Sequence, residues 1–124
     1  MSAGCVRMPS QRRWLTRLLS VSSYRVKREI EASFPDGCTG QVSVWKMDLA
    51  DLSTVQAFAE RFLDSDLPLD VLINNAGIAG LWHETRTVDG FETTFQVNHL
   101  AHFYFTHALL PAYVASSKAV VRFH

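Results

Sequence analysis

Asp70-Val71-Leu72-Ile73-Asn74-Asn75-Ala76-Gly77, DVLINNAG, is the stretch on which the fold turns. Three aliphatic residues in a row, without polar alternation, suit a strand buried on both faces, as parallel strands are. The run stops abruptly at two asparagines. Their amides can tie a strand end to its neighbours and to the next turn. Ala76 and Gly77 then leave the backbone bare, so that a ligand can approach closely. Upstream, Leu67-Pro68-Leu69 separates this strand from a helix. Asp51 or Ser53 caps that helix, and Val55, Phe58, Ala59 and Phe62 form its apolar face. Further upstream, residues 41–47 (QVSVWKM) alternate at Val42 and Val44 and predict another strand, which runs into Asp48 and Leu49. Phe34-Pro35-Asp36-Gly37 is a turn in which Pro fixes φ and Gly takes positive φ. It follows a mixed-charge helix over residues 22–33.

Downstream of the asparagines comes a loop over residues 77–87. Asp89-Gly90 then opens a long amphipathic helix over residues 89–112. Its spacing is carried by Phe91, Phe95, Asn98, His102, Phe105 and Leu109. Residues 118–123 predict one more strand. Strands alternating with helices give an α/β fold with a parallel sheet and right-handed crossovers. Ligands of such sheets bind beyond the carboxyl ends of the strands. Two strand ends therefore matter, Asp48-Leu49 and Asn74-Asn75-Ala76-Gly77.

The 124 residues are 48% hydrophobic and 19% charged, which suits one domain with a core. Cys5 and Cys38 make neither a disulfide framework nor a metal spacing, so a reducing compartment is expected. No apolar run reaches membrane-spanning length. The net charge of zero hides an asymmetry. Residues 1–28 hold Arg7, Arg12, Arg13, Arg17, Arg25, Lys27 and Arg28 and no acid, and the remainder carries the opposite charge. That basic, Ser-containing start reads as a poorly ordered tail over residues 1–27 or as a mitochondrial presequence whose stripe is Trp14, Leu15, Leu18 and Leu19. A cytoplasmic location is expected, with a mitochondrial one as the alternative. Aromatic interleaving is absent, which argues against nucleic acid.

Taken together, the landmarks resemble the short-chain dehydrogenase/reductase family. Asn74-Asn75-Ala76-Gly77 resembles its NNAG signature. Met47-Asp48-Leu49 is similar to its adenine-contacting strand end, and Asn98 to its helix asparagine. The wording Asp89-Gly90-Phe91-Glu92 with Val97-Asn98-His99-Leu100-Ala101-His102-Phe103 resembles the branch of the retinol dehydrogenases and the WW-domain-containing oxidoreductase. The resemblance runs from about residue 28 to 110. It implies a Rossmann-type doubly wound parallel sheet, here partial, lacking the first strand-turn-helix and the C-terminal half. It implies an NADP or NAD cofactor, with Asp48 on the adenine and Leu49 packed beside it. Asn74, Asn75, Ala76 and Gly77 would line the ribose side, and Asn98 would hold a water of the proton relay. Each residue also has a plainer reading. Asp48 can simply start a turn, the two asparagines can be structural ties, and Asn98 can be a solvated helix residue.

The family also needs a glycine-rich phosphate turn, a serine, and a tyrosine with a lysine four residues later. The lysine lowers the tyrosine pKa from its ordinary value near 10. Gly4 is the only glycine before Arg28, and no strand is expected there. Tyr113-Val114-Ala115-Ser116-Ser117-Lys118-Ala119-Val120-Val121 offers a tyrosine and a lysine five apart. On a helix that is an offset of about 140°, nearly opposite faces. The stretch reads instead as a helix end, a loop and a strand start. His99, His102 and His107 lack the complementary ligands of a metal set. The expected function is thus NAD(P)-dependent alcohol/ketone oxidoreduction in the parent protein, with the present chain inactive. The alternative is an interaction module, dimerising through helix 89–112 with itself or with a full-length relative.

Overall fold

The structure is a computed structural model, and it describes residues 13–15, 22–34, 41–80, 83–116 and 120–123. The chain forms two compact units, Met1–Lys46 and Met47–His124.

The first unit is a β-α-β succession. Strand β1 (Arg13–Leu15), helix α1 (Ser22–Ala32) and strand β2 (Gln41–Ser43) follow one another. β1 and β2 pair in parallel with Arg13 opposite Gln41 and Leu15 opposite Ser43. This corrects two expectations. A strand lies within the basic stretch where the sequence offered none. Trp14 and Leu15 fit a pleated strand as readily as a helix stripe, and β2 supplies the partner edge. The strand expected over residues 41–47 covers only Gln41–Ser43, each paired with a residue of β1, while residues 44–48 carry no strand. Helix α1 lies where it was expected, and carries Arg25–Glu29 and Lys27–Glu31 ion pairs one turn apart, at 3.4 and 3.7 Å. Both pairs are exposed enough to contribute only a few tenths of a kcal/mol each.

The second unit holds most of the core. Met47 and Leu49 are buried and Asp48 between them is exposed, the alternation of an extended chain. Helix α2 (Leu52–Leu63) is capped by Asp51, whose carboxylate accepts from the Ser53 N–H. It buries Val55, Phe58, Ala59 and Phe62, the face the sequence marks. After a turn at Asp64–Asp66 comes β3 (Val71–Asn74). β3 pairs in parallel with β4 (Val120–Phe123), Val71 opposite Val120 and Asn74 opposite Phe123. Alternation along β3 sends Asn74 inward, and leaves Val71 and Ile73 47% and 58% exposed.

The long helix differs from expectation in start and register. Asp89-Gly90 is not its first turn. Gly90 has φ +84°, and the chain doubles back there, with Arg86 bridged to Glu92. The helix begins at α3 (Thr93–Phe95), whose N-cap is Glu92. A π-helical turn (Gln96–Leu100) follows, in which the Ala101 N–H reaches back five residues to the Gln96 carbonyl. Then come α4 (Ala101–Ala108) and, after a break at Leu109, α5 (Leu110–Ala115) with Pro111 in its first turn. The later start and the wide turn change which residues face inward. Val97, Ala101, His102, Phe105 and Leu109 are buried, whereas Phe91 and Phe95 are exposed. Phe105 meets Phe58 edge-on, with ring centroids 5.3 Å apart at 84°, and so locks α4 to α2.

Candidate functional site

The two strand ends singled out by the sequence are held by one helix. At the first, the Asp48 carboxylate accepts from the Ala50 N–H at 2.9 Å and remains exposed. The Thr54 hydroxyl accepts from the Asp48 N–H and donates to the Asp48 carbonyl, both at 2.8 Å. The Leu49 side chain is 1% exposed, a core residue. Its carbonyl accepts from Gln96 Nε2 at 3.1 Å in a buried hydrogen bond.

Gln96 was not singled out by the sequence, yet it is fully buried. Its Nε2 also donates to Asp89 at 2.7 Å, and its Oε1 accepts from the Thr87 hydroxyl at 2.5 Å. Both amide protons and the amide oxygen are used, so the burial carries no unmet polar cost. Asp89 in turn accepts from the Leu52 N–H at 2.9 Å, the first amide of α2. Asp89 thus joins the Gly90 turn, α2 and the π turn. The sequence signal for Gln96 was weak. A period of 3.6 puts it beside the core stripe, and only the wide turn rotates it inward.

At the second strand end, Asn74 is 3% exposed and its Nδ2 donates to Thr106 Oγ1 at 2.9 Å. Its amide therefore ties β3 to α4. Asn75, Ala76 and Gly77 are exposed at the carboxyl end of β3. His102 Nε2 lies 2.7 Å from the Ala76 carbonyl. Asn98 grips Ile78 twice, its Oδ1 accepting from the N–H at 2.8 Å and its Nδ2 donating to the carbonyl at 2.9 Å. A Cβ at Gly77 would stand 3.1 Å from Asn98 Oδ1, so glycine lets the two segments approach. Asn98 belongs to the π-helical turn, a distortion often found at functional positions.

Two carboxylates near the site titrate below the ordinary carboxylate range. Asp51 is held down chiefly by the Ser53 hydroxyl, helped by the backbone N–H groups of Ser53 and Thr54. Glu92 is held down by the N–H groups of Thr94 and Phe95 at the helix start. Both serve as caps.

Tyr113 lies in α5, after the break at Leu109. Ser116 follows that helix, and its hydroxyl donates to Asp70 at 3.1 Å. Ser117, Lys118 and Ala119 lie outside the described residues. Val120 and Val121 belong to β4, so YVASSKAVV runs from a helix end to a strand start. Cys5, Cys38 and Gly4 also lie outside the described residues. His99 lies tilted against Phe95 and His107 stacks on Phe103, with centroids 5.5 and 6.4 Å apart. Among the described residues, no group of three His, Cys, Asp or Glu side chains converges, and no helix is long and apolar enough to cross a membrane. A groove of about 490 Å³ lined by Leu63, Leu67, Pro68, Pro111 and Ala115 opens where the chain enters β3. Ligands of parallel sheets bind at the opposite, carboxyl ends, so the groove is set aside as the site.

A family model for the short chain dehydrogenases matches residues 18–122. Mouse retinol dehydrogenase 12 is 48% identical over 86 residues, 69% of this chain and 27% of that protein. Mouse retinol dehydrogenase 14 is 51% identical over 76 residues, 61% of this chain and 22% of that protein. The chain thus spans about a quarter of the length of these relatives. A metagenomic short-chain oxidoreductase solved with NADP superposes with a TM-score of 0.67 at 26% identity, over 86% of this chain and 47% of its own. A 3-oxoacyl-[acyl-carrier protein] reductase from Brucella melitensis gives 0.63 at 26% identity, over 86% and 42%. A family-model match over most of the chain makes it a member of the short-chain dehydrogenase/reductase family, in its retinol dehydrogenase-like branch.

Proposed function

We propose that the second unit carries the adenine and ribose side of a nicotinamide dinucleotide pocket, for NADP or NAD. The observation that carries this reading is the convergence on one helix. Gln96 holds the Leu49 carbonyl, while Asn98 and His102 hold Ile78 and Ala76. The Leu49 carbonyl and the segment leaving β3 are thereby held by the same helix. In this reading Asp48 faces the adenine through its exposed carboxylate, and Asn75, Ala76 and Gly77 face the ribose with bare backbone. Leu49 and Asn74, being buried, shape the pocket from behind. Asn98, in the family's relay position, acts here by fixing Ile78.

The parent reaction is hydride transfer between the cofactor and an alcohol or carbonyl compound; the relatives point to retinoid-like alcohols. None of Tyr24, Tyr104 and Tyr113 has a lysine four residues later, and no glycine-rich turn is present in the 124 residues. We therefore propose that these residues by themselves contact the dinucleotide without turning over. The test is a thermal melt with and without millimolar NADPH. A ligand bound only to the folded state stabilises it by RT ln(1 + [L]/Kd), about 1.4 kcal/mol at ten times Kd. An upward shift is expected, and an unmoved melt overturns the pocket. With retinal as substrate, NADPH absorbance is expected to decay no faster than the blank.

A second reading rests on a different observation. Phe95 and Phe103 are 50% and 63% exposed, eight residues apart on the long helix, with His99 tilted against the first ring and His107 stacked on the second. Such exposed rings suit self-association through the long helix, or pairing with a full-length relative. Sedimentation should show a dimer that Phe103→Glu converts to monomer; a wild-type monomer at every concentration excludes self-association.

A further inference from the structure

We infer that His102 is a positioning residue, the middle rung of a three-rung polar ladder that sets the path of the chain leaving β3. Thr106 Oγ1 accepts from Asn74 Nδ2 at 2.9 Å, and His102 Nε2 lies 2.7 Å from the Ala76 carbonyl. Asn98 makes its two bonds to Ile78 at 2.8 and 2.9 Å. The helix positions descend 106, 102, 98 as the strand-end positions ascend 74, 76, 78. Four helical residues rise about 6 Å, and two extended residues advance about 6.6 Å. The two repeats are nearly commensurate, and the third rung, Asn98, falls within the π-helical turn. The same arithmetic explains why the polar residues recur every fourth position on this helix face.

His102 is 5% exposed, and the Thr106 hydroxyl donates to its carbonyl at 2.8 Å, which couples two rungs. A backbone carbonyl only accepts, so the ring proton sits on Nε2. The bond fixes the Ala76 peptide between the buried Asn74 tie and the Asn98 grip. Without it, the exposed segment 75–77 is held only at its ends. His102 touches no reacting atom; it acts through the Ala76–Ile78 backbone. Its consequence for ligand affinity rests on the dinucleotide reading above, while its effect on the backbone does not.

The variants are His102→Met, which keeps bulk and removes the donor, and His102→Gln, which restores a side-chain N–H at similar reach. Amide hydrogen exchange at Ile78 is the first readout. About tenfold faster exchange is expected in H102M, with the amides of Val55 and Ala59 in α2 unchanged and H102Q within about twofold of wild type. Unchanged exchange at Ile78, or equal acceleration throughout the second unit, overturns the ladder. The second readout is nitrogen NMR of the wild-type ring, where the Nε2–H tautomer is expected and the Nδ1–H tautomer overturns the assignment. The third is the NADP-induced rise in melting temperature, expected to shrink in H102M and return in H102Q. If wild type shows no rise, the dinucleotide reading fails, and the exchange and tautomer results alone decide the ladder. If wild type and H102M rise equally, the effect of His102 on the pocket is refuted.

Discussion

Gln96 and Gly77 show how single side chains decide whether two segments can meet. Gln96→Leu keeps the volume roughly but strands the buried Leu49 carbonyl and removes a partner from the Thr87 hydroxyl and from the Asp89 carboxylate, which keeps the Leu52 N–H. We expect a loss of about 2–3 kcal/mol in urea unfolding, within the range for buried polar groups left without partners. Gly77→Ala acts differently. Gly77 is not at positive φ, so the backbone accepts alanine, but the added methyl crowds Asn98 Oδ1. A loss of about 1 kcal/mol is expected, with Asn98 giving way and its grip on Ile78 weakening. A double-mutant cycle with Asn98→Ala checks the cause, because the two losses should then fall short of additive. Additive losses would place the effect elsewhere.

At the scale of elements, the amphipathic face of α2 was fully legible. Val55, Phe58, Ala59 and Phe62 are spaced for one face, and Asp51 is a strong cap type. The long helix was legible in existence and approximate length, not in register. Periodicity assumes a uniform 100° per residue, and the π turn at Gln96–Leu100 breaks that assumption. Phe91 and Phe95 were therefore placed on the face of Phe105 and Leu109, whereas they are exposed. β1 was illegible because three residues carry no period, and its pairing with Gln41–Ser43 is a long-range fact. Of the candidate site, Asp48, Asn74–Gly77 and Asn98 could be proposed from motif spacing. Gln96, His102 and Thr106 required knowing which helix face meets which strand end. The caps give this scale its own prediction. Asp51 and Glu92 titrate below the ordinary range, so each contributes stability above the ordinary carboxylate pKa. That contribution is lost as pH falls through the lower folded value. Melting temperature should therefore drop below about pH 4. Asp51→Asn with Glu92→Gln should flatten that acid limb, and an unchanged acid limb would assign it to other carboxylates.

For the molecule as a whole, stability should concentrate in the second unit where α2 meets α4. Phe105→Ala removes the edge-on partner of Phe58 from a site only 7% exposed and should cost about 3–4 kcal/mol in urea unfolding. A cost below about 1 kcal/mol would mean that the α2–α4 contact is not the centre of the core. The β3–β4 pair has another consequence, in time rather than energy. Val71 is paired with Val120, which is 49 positions later in the chain. At about 5–20 residues per second, a ribosome takes roughly 2–10 seconds to make that interval. For those seconds the nascent β3 has made its apolar run and not yet its parallel partner. A newborn chain in that interval is a natural client for chaperones that capture extended aliphatic segments, and slowing synthesis should lengthen its stay with them.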